Sequence, residues 1–308
     1  MKYQTRERKS AFIHVNDTGR PGLVCGAFHA LSYYIGCPYK CSYCYLQGTF
    51  RGKVDPVIYS NRERLLAELD EWLAQPGHLR LNAGELEDSL ALDGVIPLVD
   101  DLVPRFAAQT RHKLLLVTKS ANIRNLLKHD PRGQVIVAFS VNAPEVWQPF
   151  EQGAPHPMKR IEAAAKVKEA GYYVTLRLDP MIPIEEWERA YAAFLEDACA
   201  VVTPDQWTLG TLRYFPSLPA WARKLGRDVS VFSYARERFR GDGRMRISSD
   251  SRARMYRLVM REIGARQPGC PVRLCKETVD MHREVGSQQQ GCCYGQALKR
   301  DGTDIALL

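Results

Sequence analysis

From about residue 60 the chain alternates short, continuously apolar runs with longer stretches whose apolar positions recur every three or four residues. Leu65, Leu66, Leu69, Trp72 and Leu73 mark a first helix, with Ser60 and Glu63 spaced as a capping box at its start. A short strand over 79–82 ends at Gly84. Helical spacing near 97–108 leads to a strand at 113–118, and Ser120 is placed to cap a helix that stops before Asp130-Pro131. The run 135–140 is apolar until its last residue. A helix over 159–170 ends at Gly171, a glycine suited to the left-handed turn after a helix. A strand at 173–178, a helix at 185–201 and a strand near 206–209 follow.

With an initial strand near 27–34, the pattern makes six βα units. Continuous apolar strands joined by amphipathic helices predict a parallel sheet with right-handed crossovers. Six units fall short of the eight that close a barrel, so the expected fold is α/β, a partial (β/α)6 barrel over residues 1–214. Residues 1–25 lead into its first strand. Beyond about residue 215 the alternation breaks down into a C-terminal extension, 215–308, with a helix near 251–264, a short strand at 272–274 and a polar tail.

Composition adds exclusions and two local features. Of 308 residues, 45% are hydrophobic and 25% charged, which excludes a disordered or fibrous chain. No apolar run approaches the ~18–20 residues of a membrane span. The charged N-terminus has no apolar segment behind it, so a cytoplasmic protein without a membrane partner is expected. The net charge of +8 is concentrated: residues 222–266 hold thirteen Lys/Arg against five Asp/Glu, and nearly all the cations are Arg. In a reducing compartment, nine cysteines point to metal or redox chemistry before disulfides.

Cys37, Cys41 and Cys44 stand in C-x3-C-x2-C spacing directly after the first strand. Three thiolates on one loop can hold three corners of a cubane cluster and leave one iron open to a chelating small molecule. A structural zinc site or a purely structural triplet is the other reading, although zinc usually takes four protein ligands and no second C-x2-C pair lies nearby. Barrel sites form at the C-terminal ends of strands, and this loop follows such an end.

C-x3-C-x2-C after the first strand of a partial barrel looks like the radical S-adenosylmethionine (SAM) superfamily. Within it the chain resembles the spore photoproduct lyase family over most of its length. The likeness lies in Gly36-Cys-Pro-Tyr-Lys-Cys-Ser-Tyr-Cys-Tyr-Leu-Gln47, Val117-Thr-Lys119, Phe139-Ser-Val-Asn142, Lys159-Arg-Ile-Glu-Ala-Ala, Ala170-Gly-Tyr172 and Asp179-Pro-Met-Ile-Pro183 with Trp187. The resemblance implies a barrel of the radical SAM type and a [4Fe–4S] cluster on Cys37, Cys41 and Cys44. SAM would bind at the open iron, and one electron, from a donor such as flavodoxin or ferredoxin, would release a 5′-deoxyadenosyl radical that abstracts hydrogen from substrate. Tyr43 would cover the cluster or the adenine, Lys119 would pair with the SAM carboxylate, and Ser140 and Asn142 would hydrogen-bond its methionine or ribose. Tyr43 and Tyr45 match two tyrosines thought to pass the radical back to SAM.

The chain departs from the family where a cysteine near the end of the second strand returns a hydrogen atom to product. Counting back from Lys119, that position is Glu85, and a carboxylate cannot donate a hydrogen atom as a thiol does. Glu85 or Glu87 could instead bind the SAM ammonium, while Glu87 and Asp88 also read as an acidic helix start. Spare thiols remain. Of Cys270, Cys275, Cys292 and Cys293, a tail thiol, Cys292 or Cys293, could supply the donor, the four could bind a second metal centre, or they could be inert, whereas Cys25 and Cys199 look structural. Arg236, Arg238, Arg240, Arg244 and Arg246, with Phe232, Tyr234 and Phe239 nearby, suit phosphate contact and base stacking. Arg252, Arg257 and Arg261 read as surface cations. The expected substrate is a nucleic acid or nucleotide, and the alternative is a peptide or small metabolite.

Overall fold

The computed structural model describes residues 2–17 and 19–290. Eight strands form one sheet whose spatial order follows chain order: β1 (Ile13–Asn16), β2 (Phe28–Leu31), β3 (Arg80–Asn82), β4 (Lys113–Thr118), β5 (Val135–Val141), β6 (Tyr173–Met181), β7 (Gln206–Thr211) and β8 (Val272–Leu274). β1 pairs antiparallel with β2, and every later neighbouring pair is parallel. Helices α1 (Arg62–Leu73), α2 (Val99–Ala107), α3 (Pro157–Glu169) and α4 (Trp187–Val201) lie in the crossovers, and α5 (Ser249–Arg266) precedes β8. All six expected strands are present. β8, contributed from beyond residue 215, adds a seventh parallel strand. The sheet stays open, since β1 and β8 do not pair.

The strands are buried on both faces but differently on each. In β5 every residue is buried. Val135, Val137, Phe139 and Val141 join the large core beneath the helices, whereas Ile136 and Ala138 join a small apolar floor with Leu115. The inner face of β6 carries Thr175, Arg177 and Asp179 between the core residues Val174, Leu176 and Leu178. Side chains alternate across a strand, so one face supplies the apolar core and the other a polar concavity. No described helix is long and apolar enough to cross a membrane.

Three local expectations change. Ser60 does not cap α1: its backbone N–H donates to Arg6 O just past the end of a small sheet, and Asn61 takes the N-cap position. Asn61 spends its side chain on the backbone of Arg8. The helix expected after Ser120 is only a 3-10 turn at Leu126–Lys128. The first strand divides, with Phe28–Leu31 in the main sheet and Tyr34–Ile35 pairing with Val57–Tyr59. The chain then turns at Gly36, whose φ is 85° and where a Cβ would stand 2.7 Å from Val54 O.

A second pairing ties distant parts of the chain. Leu23–Val24 runs antiparallel to Glu277–Thr278. Elsewhere Asp93 is buried, accepting from Asn125 Nδ2 at 2.8 Å and from the Val99 N–H. Burial pushes its carboxyl up to about 6. The folded protein therefore prefers Asp93 protonated, and the stability this gives is complete below about pH 4 and lost as pH rises through about 6. In thermal melts from pH 4 to 7 the wild type is expected to lose ground against Asp93→Asn across that window. Parallel curves would contradict it.

Candidate active site

The C-terminal ends of the parallel strands open onto a cavity of about 280 Å³. The cysteine loop forms one wall, the ends of β3 to β5 form the floor, and the ends of β6 and β7 with the segments that follow β7 and β8 form the opposite wall. Cys37, Cys41 and Cys44 all line it. The loop is fixed by backbone and one buried amide. Cys37 N donates to Val54 O, Cys44 N to Cys41 O, and Gln47 Nε2 to Cys41 O and Ser42 O at 3.1 and 2.8 Å. Cys41 also pairs in a two-residue ribbon with Glu151.

The three thiols are not in disulfides. Burial is the main reason each holds its proton more tightly than an exposed cysteine, Cys41 up to about 12. Iron binding requires thiolates and reverses that preference. Among the described residues no three His, Cys, Asp or Glu side chains are arranged about a single ion. A cubane differs, taking each thiolate on a separate iron, and the donor set suits it.

Lys119 reaches the floor from the end of β4. Its Nζ donates to Ser140 Oγ at 2.9 Å and Glu151 Oε1 at 3.0 Å, and stands 5.6 Å from the Tyr43 ring centre. Glu151 also pairs with Arg160 of α3 at 2.6 Å and accepts from the Tyr43 hydroxyl. Burial alone would raise the Glu151 carboxyl. Lys119 and Arg160 outweigh it and hold the group at about 2. Neither Glu151 nor Arg160 stood out as a site residue in the sequence, although Arg160 lies within one of the matching stretches. Asn142 is not brought to the cavity: its amide donates to Pro180 O and its carbonyl accepts from Ala143 N and the Tyr191 hydroxyl.

The two acids after β3 separate. Glu85 Oε1 accepts from Asn16 Nδ2 of β1 at 3.0 Å, and Glu85 O accepts from the Tyr45 hydroxyl. Glu87 is buried and lines the cavity; among the described residues its carboxylate meets only the backbone of its neighbour Leu86, outside hydrogen-bond geometry. Burial, then the charge of Glu85, pushes its pKa well above the usual carboxylate range. Neither Glu87 nor Asp88 starts a helix. Asp88 instead accepts from Leu90 N, Ala91 N, Thr118 Oγ1 and Lys119 N, locking the floor to the end of β4. A buried carboxylate without an opposite charge paired to it among the described residues, lining the same cavity as three thiols, fits a SAM ammonium, since a buried charge needs an opposite partner.

On the opposite wall Asp179 takes two bonds from Arg213, each at 3.0 Å, and one from Arg177. These cations hold its carboxyl well below the usual range against the effect of burial. Both guanidinium groups also donate to Cys275 Sγ, at 3.1 and 3.3 Å. Cys270 sits at the far end of β8, its thiol 3.4 Å from Pro204 O. Cys270 and Cys275 thus lie at opposite ends of one strand and do not share a metal. Cys292 and Cys293 lie outside the described residues.

The arginine segment sorts into distinct uses. Arg252 is buried against Glu277, and Arg246 against Asp242, so Arg252 is a structural ion-pair member, not a surface cation. Arg257 and Arg261 pair with Glu284 and Glu262 on the surface of α5. Arg236, Arg238 and Arg240 remain exposed on a hairpin whose strands, Glu237–Arg238 and Met245–Arg246, extend from Arg213–Tyr214 beside the cavity. Two of the three aromatics expected to stack bases are occupied. Phe232 packs on Tyr214 with ring centres 4.6 Å apart, and Phe239 lies under Arg246. Phe215, which the sequence did not single out, lines the cavity with 47% of its surface exposed.

A family model described as spore photoproduct lyase matches residues 17–209. The chain belongs to that family. It is 31% identical over 191 residues to the spore photoproduct lyase of Bacillus subtilis (strain 168), which covers 61% of this chain and 55% of the relative. To that of Geobacillus sp. (strain Y412MC61) it is 27% identical over 183 residues, 59% of this chain and 52% of the relative. The match thus spans about half the length of these curated spore photoproduct lyases. A solved structure, spore photoproduct lyase complexed with dinucleoside spore photoproduct, superposes with a TM-score of 0.74 at 21% identity, over 88% of this chain and 81% of that one. The radical SAM fold read from the cysteine spacing is therefore the fold observed.

Proposed function

We propose that the chain is a radical SAM enzyme of the lyase type that acts on a nucleic acid or nucleotide. One observation carries the reading: three thiols and the buried Glu87 carboxylate, with no opposite charge paired to it among the described residues, line one cavity at the C-terminal ends of the strands. Cys37, Cys41 and Cys44 would hold a [4Fe–4S] cluster, which, reduced and with SAM bound, would supply the radical chemistry for hydrogen abstraction. Glu87 binds the SAM ammonium. Lys119 has three donors, of which Ser140 and Glu151 take two, leaving one for the SAM carboxylate. Glu151 and Arg160 fix where that donor points, and Tyr43 closes the space between loop and floor. Tyr43 and Tyr45 are the proposed radical relay, and Cys292 or Cys293 the hydrogen-atom donor, since Glu85 has none to give. An electron donor of the flavodoxin or ferredoxin kind serves the cluster.

The first test is formation of 5′-deoxyadenosine by reduced, reconstituted protein, followed by turnover of spore photoproduct in DNA. Protein that binds SAM without cleaving it would overturn the enzymatic reading. The exposed hairpin arginines support a nucleic-acid partner through phosphate contacts. Changing Arg236, Arg238 or Arg240 singly to Gln is expected to weaken oligonucleotide binding uniformly across sequences. Each change should also flatten the slope of log K against log salt by about one. An unchanged slope in all three variants would remove the hairpin from the interface.

A further inference from the structure

Outside the cavity, the far side of the cysteine loop carries a concentration of positive charge. Residues 40–56 and 218–230 hold six cations and two acids. The short helix Leu46–Thr49, which begins two residues after Cys44, packs against the helix Leu218–Lys224. Trp221 makes that contact: a Cβ on Gly48 would stand 3.7 Å from its ring, and one on Gly52 3.4 Å. Arg51 and Lys53 flank Gly52 and are exposed. Arg223 and Lys224 are exposed too, and the Lys224 ammonium lies 5.4 Å from the Trp221 ring centre. Arg227 follows the same helix, its backbone N–H donating to Ala222 O at 2.9 Å, and its Nε is buried without a hydrogen-bond partner among the described residues. Burial lowers its pKa, and the thiolates of Cys41 and Cys44, then the Asp55 carboxylate, work against that. Arg51, Lys53, Arg223, Lys224 and Arg227 make no ion pair among the described residues, and none of them lines the cavity.

A cluster on the three thiols needs an electron while SAM and substrate fill the cavity, so the electron has to arrive from the loop's other side. We propose that the face formed by Trp221, Arg51, Lys53, Arg223 and Lys224 docks an acidic one-electron carrier protein, whose electron passes inward by Gly48 to the cluster held at Cys44. The carrier loses one electron, the cluster gains it, and no bond is made or broken. Exposed cations without acidic partners steer an acidic protein toward them, and a tryptophan among them is a suitable anchor. Electron-transfer encounters need only a small interface. A nucleic acid fits this face less well, since Lys224 lies over the ring where a base would stack. The proposal rests on the cluster reading and adds the surface through which the cluster is reduced.

Rapid-mixing measurements of cluster reduction test it, using the full chain reconstituted with iron and sulfide and no SAM. Reduced flavodoxin serves as the acidic carrier, and reduced methyl viologen, a small cation, as the reductant that needs no docking. Lys53→Glu/Lys224→Glu is expected to slow reduction by flavodoxin about tenfold or more, with viologen at least as fast as on wild type. Added salt should slow flavodoxin strongly on wild-type protein and much less on the variant. Both side chains are exposed, so the variant should melt with wild type. Flavodoxin rates that match in the two proteins overturn the docking surface. Equal slowing with both reductants also overturns it, because the charges then act on the cluster itself. A variant that loses oligonucleotide affinity at an unchanged flavodoxin rate gives the face to nucleic acid instead. Wild-type protein that takes up no cluster, or forms no 5′-deoxyadenosine when viologen and SAM are supplied, sinks the cluster reading and the docking face with it. A failure of docking alone leaves the viologen-driven reaction intact.

Discussion

Glu151→Gln is expected to lower the thermal midpoint by about 10 °C. The carboxylate is wholly buried and serves two cations, Lys119 at 3.0 Å and Arg160 at 2.6 Å. Removing its charge leaves the Arg160 guanidinium, with no exposed surface, uncompensated. Breaking a buried pair in this way costs about 3–5 kcal/mol, and in a domain of this size each kcal/mol shifts the midpoint by about 2–4 °C. Lys119 retains some exposure and can turn toward water. Removing Arg160 as well, in Glu151→Gln/Arg160→Met, should therefore recover more than half of the loss. A single variant within about 2 °C of wild type, or a double variant worse than the single, would show that the network is not held by charge.

Glu87→Gln should weaken SAM binding about 100-fold, because an ion pair truncated in a buried site costs about 2–5 kcal/mol. The same change should leave the SAM-free fold as stable as wild type or more so, since it relieves a buried carboxylate that has no opposite charge paired with it among the described residues. The opposite signs are the point of the experiment: a structural acid would lose both. Glu85→Gln is the comparison and should alter SAM affinity little, Glu85 being engaged by Asn16. Equilibrium binding of SAM to reconstituted protein, with melts of each variant, reads both quantities. Equal losses of SAM affinity in the two variants would sink the assignment to Glu87.

What the sequence disclosed follows the range of the forces involved. Periodic apolar positions revealed β4 to β7 and the helices α2, α3 and α4, because burial in a layered fold imposes that period locally, whereas the helix expected between β4 and β5 is only a 3-10 turn. The cysteine loop was legible because its ligands lie within eight residues. Glu151 was not, since nothing near it in the chain marks a residue that meets Lys119 across 32 positions. The Ser60 capping box failed for a related reason: a strand from the N-terminal segment claimed the Ser60 N–H. Phe232 and Phe239 read as free aromatics beside arginines, yet Tyr214 and Arg246 had covered them, while Phe215, which lies under Arg244, keeps 47% of its surface exposed. Choosing between Glu85 and Glu87 needed β1, because only the position of Asn16 shows which acid is already satisfied.

The antiparallel pairing of Leu23–Val24 with Glu277–Thr278 has a consequence for the timing of synthesis. Chains fold as they emerge, N-terminal parts first. Strands β2 to β7 and the cysteine loop lie upstream of residue 212, so the iron-binding half is made before the last 79 described residues, 212–290. The opposite wall, with Arg244 and Lys276, and the latch that joins the two margins of the sheet arrive only at the end. In a nascent chain the three thiols are thus in place before the segments with Arg244 and Lys276 can face them.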